Sequence, residues 1–112
     1  MPDKRSQPRK VCDARIDILD IETDQIIGNL VNISLSGFMM ITTQSLPENY
    51  VFQFKISFES EGVGTQVIKV GAESLWVQEV EGSAQRWMGF HIIDISEADL
   101  AVIGTLIGDW RE

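Results

Sequence analysis

The stretch VFQFKISFE, residues 51–59, alternates without a break, placing Phe52, Phe54, Ile56 and Phe58 on one face and Gln53, Lys55, Ser57 and Glu59 on the other. A period of two is the period of a strand, and a face built from three phenylalanines and an isoleucine must be buried. The chain is therefore read outward from this segment as a β protein.

Toward the C-terminus, SEGVGT (residues 60–65) reads as a turn. Residues 66–78 form another extended stretch, with Ile68, Val70 and Ala72 in phase and Trp76 near its end. Glu81, Gly82 and Ser83 mark the next turn, and residues 86–95 give a last strand with Met88, Phe90 and Ile92 on one face. Its other face carries Gly89, where a backbone or a ligand can come close. Toward the N-terminus, residues 11–20 alternate Cys12, Ala14, Ile16 and Ile18 with Asp13, Arg15 and Asp17. IETDQ (residues 21–25) turns the chain, residues 26–33 return as the second arm of a hairpin, and residues 38–42 start a third strand. Only after residue 95 does the period change. Ser96 with Asp99 forms a capping box, and Leu100, Ile103, Leu106 and Ile107 recur at helical spacing, so a short amphipathic helix is expected over 97–108, weakened by Gly104. Six or so strands with short turns and one terminal helix make an antiparallel barrel or sandwich, the helix covering one end.

At 112 residues the chain fits one domain, and its 44% hydrophobic and 23% charged residues are those of a globular one. No apolar run approaches the roughly 18 residues that cross a bilayer. The polar opening MPDKRSQPRK lacks the apolar stretch of a secretory signal, so a cytoplasmic location is expected. Cys12, the single cysteine, can form no internal disulfide and reads as an apolar filler. The net charge of −8 is unevenly spread. Residues 1–10 hold Lys4, Arg5, Arg9 and Lys10 against Asp3, a net +3, while residues 11–112 hold five basic and sixteen acidic side chains, a net −11. The acidic majority argues against a nucleic-acid or anionic-membrane binder. With two prolines and no periodicity, residues 1–10 read as a flexible basic arm and 11–112 as the folded domain.

The usual catalytic constellations need residue types that are scarce here. His91 is the only histidine and falls at a non-core phase of its strand, so neither a zinc cluster nor a triad suggests itself. Carboxylate pairs such as Asp17 with Asp20 and Glu79 with Glu81 read as solvated charge near turns. GVG at residues 62–64 lacks the Lys-Ser/Thr tail and following helix of a phosphate loop. The glycosylation pattern at Asn32-Ile33-Ser34 has no secretory signal to go with it. Trp76 and Trp87 read as core residues rather than ligand contacts, and Trp110 as packing against the barrel or a partner. No enzyme, metal or cofactor is expected.

Two stretches stand apart. RSQPR (residues 5–9) sets Arg5 and Arg9 four apart, and a planar guanidinium can grip a phosphate through paired hydrogen bonds or stack on a purine. NISLSG (residues 32–37) lies where two expected strands meet. On a strand Asn32 and Ser34 point the same way and offer hydrogen bonds to one ligand edge, and Gly37 permits a positive φ or a tight backbone approach. Either stretch alone is weak, since an isolated RxxxR is more often a solubilising tail and NxSxxG a polar turn.

In this order the two stretches resemble the motif pair of the PilZ domain family, receptors for the bacterial second messenger cyclic di-GMP. The similarity runs through nearly the whole chain: ESLWV (residues 73–77) resembles a strand that often carries a Trp, and GFHIIDIS (residues 89–96) resembles the closing strand and helix entry. The resemblance implies a mainly β fold, a six-stranded antiparallel split barrel with a C-terminal α-helix. It implies that Arg5 and Arg9 take the phosphates and guanine faces of cyclic di-GMP, while Asn32, Ser34 and Gly37 contact a guanine edge. Lys4, Lys10 and Ser36 are further candidates, the lysines for a second stacked ligand molecule. Binding would order the arm and change a surface read by a downstream effector protein of the motility, adhesion, polysaccharide or virulence machinery. Phe38 departs from the pattern, standing where many members have a second glycine. The main rival is a degenerate member that binds only another protein. A nucleic-acid binder acting through the basic arm is a second, and an enzyme the least favoured.

Overall fold

The computed structural model describes residues 10–11, 16–60 and 64–111. Cys12, the arm residues Lys4, Arg5 and Arg9, and the side chain of Trp110 lie outside what it describes. Seven strands and one helix follow in the order β1 (Lys10–Val11), β2 (Asp17–Asp20), β3 (Ile26–Ile33), β4 (Gly37–Thr42), β5 (Val51–Ser60), β6 (Gly64–Glu79), β7 (Arg86–Ile95) and α1 (Glu97–Arg111). The strand expected over 11–20 is described as two pieces, β1 and β2, both lying antiparallel to β3.

The strand order is β1-β3-β2-β5-β6-β7-β4, and a further β3–β4 pairing joins the ends. Strands β2 to β7 thus form a closed, six-strand antiparallel barrel, with β1 added beside β3. Closure leaves the barrel strands without a free edge along their paired length, which matters because an open edge is a template for aggregation.

The alternation of residues 51–59 is realised in β5, where Phe54, Ile56 and Phe58 are buried and Phe52 packs against the core from a half-buried position. Inside, the aromatic rings form one cluster. Phe38 stacks on Phe90 with ring centroids 4.9 Å apart and planes 14° from parallel. Phe54 meets Phe90 edge to face at 5.4 Å, and Phe52 lies parallel to Phe54 at 5.4 Å. Leu30, Ile33, Met40, Ile68, Val70, Ala72, Met88 and Ile92 fill the rest of the interior. Phe38, the departure from the expected motif, therefore sends its ring inward, 1% exposed, and leaves the outer surface free of it.

Helix α1 continues three residues beyond the expected end at 108. Ile103 and Ile107 are its buried face, and it packs against β1 and β6. Ser96 caps it, its Oγ accepting the Asp99 backbone N–H at 3.1 Å. The Asp99 carboxylate does not complete the expected box. Its Oδ2 instead accepts the backbone N–H of Lys69 at 3.0 Å, tying the first helical turn to β6.

Trp76 and Trp87 correct the sequence reading, since neither lies in the core cluster. In unbroken alternation Trp76 would share the face of buried Ser74, but the β6–β7 register shifts between them, so that Ser74 pairs with Phe90 and Trp76 with Gly89. One extra residue reverses the side to which everything after it points. Trp76 thus lies on the outside of the barrel, 37% exposed, and Trp87 follows it there, half-buried, in phase with Gly89.

Phe90 touches three other rings, and its loss would leave a cavity that β-sheet backbones cannot collapse around. Phe90→Ala is expected to destabilise the protein by about 3–5 kcal/mol. A urea unfolding midpoint shifted down at unchanged slope checks this, with half-buried Phe52→Ala costing less.

Candidate functional site

The site expected from NISLSG is built where β3 hands over to β4. Along β3 the pairing with β4 runs Asn29↔Ile41 and Leu30↔Met40, then slips to Asn32↔Met39 and Ile33↔Phe38. Leu30 and Ile33 are both buried, so the slip absorbs one residue, Val31, and turns Asn32 out of the core phase it would otherwise share with Leu30. Asn32 is consequently half-buried on the outer face, its Nδ2 donating to the Met39 Sδ at 3.8 Å. Met39 was not singled out from the sequence, because only the bulge makes it Asn32's neighbour.

β3 ends at Ile33, so the same-face argument for Asn32 and Ser34 stops one residue short. Ser34 is 1% exposed, and its hydroxyl faces the turn. Ser34 Oγ donates to the Gly37 carbonyl at 3.3 Å and accepts the Ser36 N–H at 3.4 Å. The Ser34 N–H also donates to the Gly37 carbonyl, at 2.8 Å, closing a hairpin whose two loop residues are Leu35 and Ser36. The Ser36 carbonyl in turn accepts the Ile92 N–H at 2.8 Å, which fastens the hairpin tip to β7. Ser34 is thus the brace of a rigid turn.

Of the two uses open to Gly37, the structure shows the close approach. Its φ is not among the positive values of the described residues, whereas a Cβ there would sit 2.4 Å from the Phe90 carbonyl oxygen. Leu35, at the hairpin tip, is exposed and leans toward Gly104 of α1, its Cδ2 4.0 Å from where a Cβ on that glycine would stand. The helix, the hairpin and β1 therefore share one end of the barrel.

The residues that follow the second stretch reach this end as β1. Lys10 pairs with Ile33 and Val11 with Asn32. Arg9 immediately precedes Lys10 in the chain. Arg5, Arg9 and Lys4 themselves lie outside the described residues. The described ion pairs, Lys55 with Asp24 and Arg86 Nε with Glu79 Oε2 at 3.8 Å, belong to the turns at the other end. His91 is exposed and pairs in register with Gly37 and Glu73. Among the described residues, no group of three His, Cys, Asp or Glu side chains could hold a metal ion.

Comparison with known proteins agrees with the fold. The sequence model of the PilZ domain matches residues 3–109. No curated protein matches the chain. Among solved structures, the chain is similar to the Bacillus subtilis inhibitor of motility (MotI/DgrA), with a TM-score of 0.78 at 19% identity over 98% of this chain and 52% of that one. It is also similar to YcgR from Escherichia coli in complex with c-di-GMP, with a TM-score of 0.72 at 15% identity over 96% of this chain and 46% of that one. The PilZ domain of the same protein with c-di-GMP gives a TM-score of 0.66 at 14% identity, over 97% and 92% of the two chains. At these identities the likeness is one of fold, and the chain spans about half the length of the first two proteins.

Because the atom opposing a Cβ at position 37 is backbone, Gly37→Ala can be accommodated only by moving β4 away from β7. The expected result is a loss of about 1–3 kcal/mol in stability, read from urea unfolding, without loss of strand content in circular dichroism.

Proposed function

The chain belongs to the PilZ domain family, and from that premise we propose that it is a receptor for cyclic di-GMP. It holds the ligand between Arg5 and Arg9 of the arm and Asn32, Ser34 and Gly37 of the barrel. The observation that supports this reading is the pairing of Lys10 and Val11, the residues that directly follow the RxxxR stretch, with Ile33 and Asn32. Similar structures that contain c-di-GMP support it.

The ligand is a dianion with two guanines. The guanidinium groups of Arg5 and Arg9 supply charge, paired hydrogen bonds to phosphate and flat faces for the bases. Asn32, turned outward by its bulge, offers both a donor and an acceptor to a guanine edge. Ser34 acts mainly by holding the turn, and Gly37 by keeping that turn low against β7, so that no side chain stands in the ligand's way. Ser36 sits at the hairpin tip, and Lys4 and Lys10 add positive charge that suits a second, stacked ligand molecule. The −11 of the remaining chain is no obstacle, because at physiological salt charges separated by more than about 8 Å are largely screened.

Ligand binding draws the arm over the barrel surface. The changed surface is then read by an effector protein, and the domain acts in the cytoplasm without catalysing a reaction. Among the described residues, no helix is long and apolar enough to cross a membrane.

Isothermal titration with cyclic di-GMP, using GTP and cyclic di-AMP as controls, tests the proposal. Micromolar or tighter binding confined to cyclic di-GMP is expected. No heat with any of the three would favour a protein-only adaptor. Arg5→Ala and Arg9→Ala are each expected to weaken binding on the order of 10- to 100-fold at unchanged thermal stability, the effect of losing a charged hydrogen-bond donor. Ser34→Ala should weaken it less. Wild-type affinity in both arginine variants would overturn the site assignment.

A further inference from the structure

At the end of the barrel away from the motif hairpin and the helix, the wall is not fully closed. The β3–β4 ladder begins only at Asn29↔Ile41, so Ile26, Ile27 and Gly28 have no register partner in β4. Side chains span the gap instead, Thr42 Oγ1 donating to the Ile27 carbonyl at 2.6 Å and Gln44 Nε2 to the Ile26 carbonyl at 3.4 Å. Beside this gap, between the 21–25 turn and the 43–50 loop, a cleft of about 430 Å³ opens to solvent.

The floor of the cleft is apolar. Ile27, Leu46 and Phe52 are half-buried there and pack against the core, and Tyr50 and Val51 carry the apolar surface outward, 56% and 48% exposed. The Tyr50 ring leans on Phe52, with centroids 4.9 Å apart. Single exposed apolar residues are ordinary, but adjoining ones around a concave apolar floor mark a surface that is covered in use.

Both walls are fixed before anything binds. On one side Ser74 Oγ donates to the Pro47 carbonyl at 2.7 Å and accepts the Tyr50 N–H at 3.2 Å, while the Asn49 N–H donates to the Ser74 carbonyl at 2.7 Å. On the other, the Ile21 N–H donates to the Gln53 carbonyl at 3.1 Å and the Asp24 N–H to the Asp20 carbonyl at 2.9 Å. A cleft with braced walls needs little ordering when it is filled.

The rim decides what fills it. Among the described residues, Asp20 and Glu22 are the only charged side chains lining the cleft. Lys55 of β5 is committed to Asp24 of the same turn. An anionic occupant is therefore disfavoured, and a second copy meeting this face would set the same two carboxylates against themselves. A segment that carries an apolar side chain between lysines or arginines matches floor and rim together.

We propose that this cleft is the docking site for a protein partner, which enters it through a segment with an apolar anchor flanked by basic residues. It supplies the effector surface of the receptor reading above, on which its regulatory meaning rests. The cleft and the Asn32 motif lie at opposite ends of the barrel, so partner and nucleotide do not compete for the same residues.

The test uses the full chain, labelled with nitrogen-15, and a synthetic peptide carrying a Trp-Leu anchor between lysines. Two control peptides replace the anchor by alanines or the lysines by glutamates, and a third is the chain's own segment MPDKRSQPRK. Amide shifts are expected at residues 20–25 and 46–53 and not at 32–37. The alanine control should bind roughly 10-fold more weakly and the glutamate control not at all. Asp20→Asn/Glu22→Gln keeps the side-chain shapes and is expected to lower affinity for the peptide about 3- to 10-fold at unchanged thermal stability and unchanged affinity for cyclic di-GMP. Shifts absent or scattered over other acidic surfaces, or equal affinity in the double variant, would overturn the docking site. Tighter binding of MPDKRSQPRK at the same residues, or a wild-type dimer in sedimentation that the double variant dissolves, would replace the partner by the chain itself and overturn the proposal as well. Peptide binding at the cleft by a protein that ignores cyclic di-GMP would overturn the receptor reading alone.

Discussion

The contact between β4 and β7 is the constraint on which the rest of this structure depends. Phe38 stacks on Phe90 inside the barrel, while Gly37, one residue earlier, lets the β4 backbone come down onto the Phe90 carbonyl. β4 is the last strand in the sheet order, and its pairings with β7 and β3 convert a sheet into a barrel. A side chain at 37 or a small residue at 38 would weaken the same seam from opposite sides. The glycine that closes the motif and the phenylalanine that follows it are therefore buried residues of the barrel wall. The hairpin between β3 and β4 inherits its rigidity from that seam, since the Ser36 carbonyl is bonded to Ile92 of β7.

A closed barrel with a packed interior leaves little freedom for function. Every strand must alternate, and alternation sends alternate residues into the core whether or not chemistry wants them there. The bulges resolve this conflict. Asn32 and Trp76 would each fall in an inward phase on an unbroken strand, and each is turned out by one inserted residue, Val31 and Leu75 respectively. The cost of each is a ladder interruption, offset at Ser74 by hydrogen bonds to the 47–50 loop. Further register shifts lie at Ile18/Leu19 and Gly71/Ala72, while the stretch of β5 that pairs with both neighbours, from Phe54 to Ser57, keeps an unshifted register.

Charge is divided in the same economical way. Residues 11–112 carry the acidic excess, and four of the nine cations are concentrated in the first ten residues. β1 joins the two regimes, pairing with β3 beside the Asn32 motif and lying against α1. At the same end the exposed Leu35 leans toward the glycine of the helix. The end of the barrel that carries the motif is thus also the end that carries the helix.

Much of this protein was legible in its residues. The alternation of residues 51–59, the hairpin of residues 17–33, the last strand over 86–95 and the change of period at Ser96 are local patterns, each set by a side-chain period that needs no knowledge of neighbours. The pairing of RxxxR with NxSxxG pointed to the family for the same reason, being a matter of residue type and order. What the sequence could not disclose was phase across a bulge. It placed Trp76 in the core, took Asn32 and Ser34 for same-face partners, and overlooked Met39. Each of these hinges on where one strand slips against another, and the slip is chosen by long-range pairing and packing. Local periodicity determined which segments are strands. Only the closed barrel, by fixing cross-strand register, decided which side of the wall each residue faces.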